Sequence, residues 1–350
     1  MSSSTGRWEA IDLLKIVASQ LIVWHHVSAY GPVADALHTS WPSLLAWLYD
    51  HGRMAVQVFL VLGGYLALPG LLAHMQNAAH SPIDAIVARY RRLFPPFAIA
   101  MVIAMVASAI ARPWLEAELV GSPPQALQLI AHALLLQDVL GVESLSAGIW
   151  YVAMDLQLYA MLALLIWLSR ATGMTTWPLA VPLLFITASL LWWNRLPQLD
   201  IWAPYFIGSY GLGMMARMAR DATDWHDRAR WLSGATALVI LALWVEWRTR
   251  MAIALVVAWW LATAPAGLTT HWPPPLRRGI ASLGQASYAL FLLHFPVLLV
   301  CNTAWVAWGL GGPFQAWAMA LGIACTSTGL ALVFERQIER RLAVRRHRAV

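Results

Sequence analysis

Charged residues are scarce in this sequence. They make up 11% of its 350 residues, whereas a soluble domain carries about a quarter. Hydrophobic residues make up 60%, and the mean hydropathy is +0.62. Because so few charges cannot cover a surface that faces water, most of the surface must face lipid. The composition therefore excludes a soluble enzyme and predicts an integral membrane protein.

Cysteine is scarce as well. The two cysteines, Cys301 and Cys325, both lie in apolar segments. Two isolated thiols indicate neither a disulfide framework nor a metal site, and we predict no metal and no bound cofactor. The net charge is +6, but the arginines stand in short clusters between apolar runs, which is typical of the cytoplasmic loops of membrane proteins. We therefore predict no nucleic-acid partner.

Long apolar runs are what the sequence has in abundance. A membrane-crossing helix needs about 20 apolar residues. A weaker stretch at 125–140 contains polar residues and indicates a re-entrant or interfacial helix, and whether it crosses the membrane stays open. The strong stretches are ten in number and lie near 11–30, 54–73, 93–111, 149–168, 177–194, 201–219, 231–247, 251–268, 283–306 and 315–334.

These stretches predict an all-α integral membrane protein with about ten transmembrane helices in one bundle. We expect one domain over residues 1–350, with a cytoplasmic tail at about 335–350. Arginines concentrate in alternate loops and in that tail, so the positive-inside rule places both termini in the cytoplasm. If 125–140 were a further span, the arginine cluster at 217–230 would lie outside the cytoplasm. The positive-inside rule therefore disfavours a span at 125–140.

Ionisable residues inside a membrane span are costly and usually functional, and the first span has the most. Asp12 and Lys15 are three residues apart, so they share a helix face and can pair. Lys15 and His26 are eleven residues apart, which is close to three turns and about 16 Å along one face. His25 points about 100° away from His26.

The segment IDLLKIVASQLIVWHH resembles the first helix of the membrane acyltransferase-3 family, in which a basic residue, ten others and a histidine follow one another. Lys15 stands where arginine is commoner in the family, and Asp155 stands where glutamate is commoner. The family's second helix usually reads Ser-Gly where this chain has Gly63 and Gly64. The usual proline after the acid at Glu335 is missing. Five further segments resemble the family in the same order: GRMAVQVFLVLGGYLA at 52–67, RYRRLFPPF at 89–97, IWYVAMDLQLY at 149–159, SYALFLLHFPVLL at 287–299 and FERQIERRL at 334–342.

The resemblance implies a multi-pass O-acyltransferase of a bacterial inner membrane, surrounded by membrane lipids. It implies transfer of an acyl group, most commonly acetyl, from cytoplasmic acyl-CoA to a hydroxyl of a surface glycan or lipid-linked sugar. Acyl-CoA would be a co-substrate. Histidine is the usual general base near neutral pH, so His26 is the predicted base, and Asp155, at a similar depth, its partner.

The donor's phosphates need cations, and guanidinium groups hold phosphate well. The residues predicted to bind the donor are Lys15, Arg89, Arg91 and Arg92. The residues predicted to support the site are Asp12, His294, Tyr288 and Glu335.

Two other functions remain open at this point. Polar residues inside a helical bundle also mark the path of a transporter or exporter, although the sequence lacks the paired inverted halves that many transporters show. A membrane partner without catalytic activity would use the same residues only to fix helix packing.

Overall fold

The computed structural model describes residues 5–77, 80–174, 177–265 and 268–342, with side chains from Glu9 onward. All regular elements in these ranges are helical, which confirms the predicted all-α class. The first eight helices are α1 (Thr5–Ala29), α2 (Pro32–His38), α3 (Pro42–Gly52), α4 (Val56–Gln76), α5 (Pro82–Ala111), α6 (Ala117–Val120), α7 (Ala126–Ala133) and α8 (Trp150–Ala171).

The rest of the chain continues in the same way. Short 3-10 turns occur at Arg53–Ala55, Trp193–Arg195 and Pro197–Leu199, and a π-helical turn at Glu335–Glu339. The remaining helices are α9 (Ala180–Leu191), α10 (Ala203–Asp221), α11 (Trp225–Val245), α12 (Thr249–Thr263), α13 (Pro274–Gln285), α14 (Ser287–Ala307) and α15 (Pro313–Phe334).

Each of the ten predicted spans overlaps one of these helices, namely α1, α4, α5, α8 to α12, α14 and α15. Two of them are short, since α9 has 12 residues and α12 has 15. A third, α10, has 19 residues and carries Arg217, Arg220 and Asp221 near its end. Seven helical stretches in the described part of the chain are long and apolar enough to cross a bilayer, so the predicted count of ten is approximate.

The weak stretch at 125–140 is not a spanning helix. Only α7 is helical there, and its eight residues extend about 12 Å, less than half of a hydrocarbon core. Turns follow it, and they are stabilised by a buried histidine: His132 Nδ1 donates to the Gln128 carbonyl at 2.8 Å, and the Leu145 N–H donates to His132 Nε2 at 3.1 Å. Burial lowers the pKa of His132 and raises that of Asp138.

The helices divide into two compact units, whose boundaries fall inside α1, α5 and α8. The first unit contains residues up to Ile11 together with 56–91 and 153–270, and the second contains 12–55, 92–152 and 271–350. In the first unit, α4 packs extensively against α10. A methyl group on Gly64 would lie 1.8 Å from the Tyr210 carbonyl oxygen, and one on Gly213 would lie 1.8 Å from that of Val61. Only glycine allows these backbones to approach so closely.

In the second unit, α14 packs against α15 and against α2. The Asn302 side chain of α14 accepts a hydrogen bond from the Val33 N–H of α2 at 3.0 Å. Gly31 begins this segment at φ +83°, in the left-handed region that favours glycine. The chain between the first and second predicted spans is thus folded into two helices, α2 and α3, and α2 is fixed to α14.

Candidate active site

Two histidines meet inside the second unit, one from α1 and one from α14. His26 Nδ1 lies 2.6 Å from His294 Nε2, and the rings stack with centroids 4.7 Å apart at 23°. His26 is 8% exposed and His294 is 1% exposed. The sequence predicts His294 as a supporting residue, and the structure places it in direct contact with the predicted base.

The Leu290 carbonyl oxygen determines which ring nitrogens of the two histidines carry protons. His294 Nδ1 lies 3.0 Å from the Leu290 carbonyl oxygen. A carbonyl can only accept, so His294 Nδ1 must carry the proton that it donates. In neutral His294, Nε2 is then an acceptor, and the proton between the two rings belongs to His26 Nδ1. The lone pair of neutral His26 is therefore on its other nitrogen, Nε2.

Aromatic rings surround the pair on the side of His26. The Tyr30 ring lies 5.4 Å from that of His26, and the Phe295 ring lies 6.0 Å from it, both edge-on. The Tyr30 phenol is protonated near neutral pH and can donate a hydrogen bond. An apolar wall with one phenol donor suits a site that excludes water around a reacting group.

His25 has a different environment. Its Nδ1 donates to the Leu48 carbonyl of α3 at 3.3 Å, and its ring lies 5.9 Å from that of Tyr49. A methyl group on Gly52, at the end of α3, would lie 2.8 Å from His25 Cβ. These contacts fix α3 against α1, so His25 has a packing role that His26 lacks.

The segment leading into α8 also contacts the pair. A methyl group on Gly148 would lie 2.6 Å from the Phe291 carbonyl oxygen and 2.8 Å from His294 Cε1. His294 is the eighth of the 21 residues of α14. Gly148, just before α8, therefore lies beside the first half of α14 and packs against one side of the His294 ring.

Lys15 lies on α1, about 16 Å along the helix from His26. Its Nζ is 3.9 Å from Asp12 Oδ1, which confirms the predicted pair. Gly284 of α13 is packed on Asp12, since a methyl group there would lie 2.4 Å from Asp12 Cβ. Lys15 is the one lysine of the sequence, and its side chain is 24% exposed.

Asp155 forms an ion pair inside the first unit. Arg89 Nε and Nη2 both donate to Asp155 Oδ2, at 3.2 and 2.6 Å, and the guanidinium lies 5.2 Å from the centre of the Tyr159 ring. The sequence predicts Asp155 as the partner of His26, whereas the hydrogen bonds of the structure give His294 to His26 and Arg89 to Asp155. Within the second unit, His294 lies close enough to orient His26.

The other predicted donor-binding arginines are exposed. Arg91 belongs to the first unit and Arg92 to the second. Arg92 lies close enough to Lys15 and Glu339 to act on their charges. Long exposed guanidinium groups can reach a phosphate in water without breaking a buried contact.

Tyr288 and Glu335, the two remaining supporting candidates, lie elsewhere in the second unit. The Tyr288 hydroxyl donates to the Leu93 carbonyl at 3.3 Å. Glu335 Oε1 accepts from Arg340 Nε at 2.6 Å, and Arg340 also reaches Gln285 at 2.9 Å. Because Arg336 stands where the resembling family has proline, the helix continues through a π-helical turn instead of ending.

Sequence reasoning missed the contact between His26 and His294 and the role of Gly148. The two histidines are 268 positions apart, and nothing local connects them. Gly148 precedes a helix, where glycine is unremarkable, so only the folded backbone reveals the neighbouring ring. Among the described residues, no group of three or more His, Cys, Asp or Glu side chains is arranged to hold a metal ion.

Comparison with known proteins gives one match. The family whose sequence model matches is acyltransferase-3, described as an acyltransferase domain, and the match covers residues 8–336. Neither the curated proteins nor the solved structures that were compared match the chain. The matched range contains both histidines, Lys15 and the Arg89–Asp155 pair, and it extends over nearly the whole chain. This multi-pass membrane protein therefore belongs to the acyltransferase-3 family and is an acyltransferase that transfers groups other than aminoacyl groups.

Proposed function

We propose that the protein transfers an acyl group, namely acetyl, from cytoplasmic acyl-CoA to a hydroxyl of a surface glycan or a lipid-linked sugar in a bacterial inner membrane. Both termini would lie in the cytoplasm. The observation that carries the proposal is the hydrogen-bond order from His26 Nδ1 to His294 Nε2 and from His294 Nδ1 to the Leu290 carbonyl. It leaves His26 Nε2 as a proton acceptor, which a hydroxyl nucleophile requires.

The proposed reaction has four changes. His26 Nε2 takes the proton of the acceptor hydroxyl, whose oxygen attacks the thioester carbonyl and forms a C–O bond. The C–S bond then breaks, and the leaving sulfur receives the proton from His26 Nε2. The products are the acyl ester and free coenzyme A. His294 supports the step because it accepts the hydrogen bond of His26 Nδ1 while His26 carries a positive charge.

The donor would be held by cations on α1 and α5. Asp155 takes two N–H groups of Arg89, which fixes the plane of the guanidinium, and Arg91 and Arg92 add exposed charges. The single lysine, Lys15, lies on the same helix as His26, so it would contact the donor between its phosphates and its thioester. Charge-assisted hydrogen bonds to phosphate are the strong ones in proteins.

Thioester consumption by the purified protein tests the activity. The protein in lipid discs is mixed with acetyl-CoA and an extract of cell-surface glycans and lipid-linked sugars, and free thiol is measured. We expect thiol release that depends on the extract and a matching mass increase in one glycan or lipid. Without thiol release, the transporter or the packing partner explains the buried polar residues better. Mass spectrometry of glycans from cells with and without the protein then identifies the acceptor.

Lys15 offers a separate test of donor binding. Because the chain has one lysine, an amine-reactive reagent followed by peptide mass spectrometry reports on this side chain alone. We expect coenzyme A to slow the labelling of Lys15, and we expect Arg91→Gln with Arg92→Gln to weaken that protection. Equal labelling with and without saturating coenzyme A would remove Lys15 from the donor site.

A further inference from the structure

We propose that the second unit binds an anionic phospholipid between α13 and α15. A cavity of about 580 Å³ lies there. Its charged lining residues are Arg278 of α13 and Arg336 of the π-helical turn after α15. This site shares no residue with the proposed acyl-donor site. The inference uses the predicted topology but does not depend on the proposed activity.

Both sides of the cavity carry an arginine at helical spacing from a second lining residue. Arg278 and Ser282 stand four residues apart on α13, so guanidinium and hydroxyl share a face. On the other side, Leu332 of α15 and Arg336 of the following π-helical turn are also four residues apart. Between them the backbone of Gly279 is open, since a methyl group there would meet nothing within 4 Å. A phosphate can therefore approach both guanidinium groups and the Ser282 hydroxyl.

The charge of the site is of one sign. Among the described residues, two guanidinium groups and no carboxylate line the cavity. The acid next to Arg336, Glu335, is paired with Arg340 at 2.6 Å, so its charge is balanced by another residue. Basic pockets between helices at the cytoplasmic side of a membrane are the sites that bind lipid headgroups, and the predicted topology places α13 on that side.

An apolar cavity beside the site indicates a lipid. A cavity of about 450 Å³ lies between α5, α14 and α15. Val333 and Gln337 line it, and these residues directly follow Leu332 and Arg336 of the charged cavity. Val333 is 57% exposed and Leu330 is 47% exposed, so this side of α15 faces the bilayer. A phosphate held at Arg336 thus has room beside it for a hydrocarbon chain, which coenzyme A would not fill.

The test measures lipid binding by the purified full-length chain. Native mass spectrometry in mild detergent counts retained lipid during titration with phosphatidylglycerol or with zwitterionic phosphatidylcholine. We expect one phosphatidylglycerol to be retained in preference to phosphatidylcholine. The variant Arg278→Gln/Arg336→Gln should bind phosphatidylglycerol about 10- to 30-fold more weakly, since each arginine near a lipid headgroup contributes about 1 kcal/mol.

The matched control is Arg277→Gln/Arg341→Gln, which removes the same charge from neighbouring positions that do not line the cavity. We expect its phosphatidylglycerol affinity to equal that of the wild type. Equal weakening in both double variants would show that diffuse charge binds the lipid and would overturn the site. Equal affinity of the wild type for both lipids, or displacement of phosphatidylglycerol by coenzyme A, would overturn it too.

Discussion

Each of the two units contains a close pair of polar side chains at a predicted site residue, and the two pairs differ in chemistry. In the second unit His26 and His294 are 2.6 Å apart, and in the first unit Arg89 and Asp155 are also 2.6 Å apart. A neutral imidazole can accept a proton on one nitrogen and return it during a reaction, whereas arginine keeps its charge. The first pair is therefore suited to proton transfer and the second to holding a fixed charge in place.

The two pairs should also differ in how much stability is lost when one partner is removed. Removing one partner of a buried ion pair leaves an uncompensated charge, which costs far more than the loss of a neutral hydrogen bond. We therefore expect changes at the histidines to reduce the rate with little loss of stability. Changes at Arg89 or Asp155 should reduce stability first.

The largest expected effect is on the rate. His26→Ala should reduce acyl transfer by about 10²- to 10⁴-fold, because a general base contributes that much. Binding of coenzyme A should change little. The rate is measured as thiol release at saturating donor, with equal amounts of folded protein.

His25→Ala is the matched control, since it removes the adjacent imidazole from another face of α1. It loses the hydrogen bond to Leu48 on α3, so a modest loss of stability is expected with a much smaller loss of rate. A larger rate loss in His25→Ala than in His26→Ala would reverse the assignment of the base.

The ion pair should show the opposite pattern. Asp155→Asn leaves the partly exposed Arg89 charge without its carboxylate, and we expect it to cost about 1.5–3 kcal/mol of stability, the range for hydrogen bonds to charged groups. Adding Arg89→Gln removes that charge, so the double variant should recover part of the loss. Chemical unfolding in detergent measures Asp155→Asn, Arg89→Gln and the double variant against the wild type. Strictly additive losses would show that the two side chains do not stabilise each other.

Close helix packing in the first unit gives the next effect. Gly64→Ala places a methyl group against the Tyr210 carbonyl, and we expect it to cost about 1–3 kcal/mol, the usual range for overpacking. Gly70→Ala on the same helix is the control, because a methyl group there meets nothing within 4 Å. Unfolding midpoints that fall equally in both variants would mean that α4 and α10 do not approach as described.

The smallest expected effect is at Gly148. Gly148→Ala should push on the His294 ring and reduce the rate by about tenfold, which corresponds to about 1.4 kcal/mol, while the affinity for coenzyme A is unchanged. Gly329→Ala on α15 is the control, since a methyl group there meets nothing within 4 Å. Steady-state rates of both variants provide the comparison, and equal rates would remove Gly148 from the site.

Much of the fold could be predicted because apolar length is a strong signal. The sequence placed a helix at each of ten stretches, and it left 125–140 open because His132, Gln137 and Asp138 interrupt the run. The short helices α2, α3 and α13 were missed. Their lengths of 7, 11 and 12 residues are too small for a span, and their positions depend on contacts such as Val33 with Asn302.

Less of the site could be predicted. Spacing along one helix is enough to pair Asp12 with Lys15, but it contains no information about partners on other helices. Depth counted from the ends of the predicted spans gives His26 an acid, Asp155, as its partner. The structure shows that Arg89 donates to Asp155 and that His26 contacts a histidine of α14, and neither contact is visible in helix spacing.

The protonation of the His26 ring is the most direct test of the account. Solid-state ¹⁵N NMR of histidine-labelled protein in lipid, compared with the His26→Ala variant, identifies the two ring nitrogens of His26. We expect a proton on Nδ1 and none on Nε2 at neutral pH, because His294 accepts from Nδ1. A proton on Nε2 and a bare Nδ1 would contradict the hydrogen-bond order and with it the role of His26 as the base.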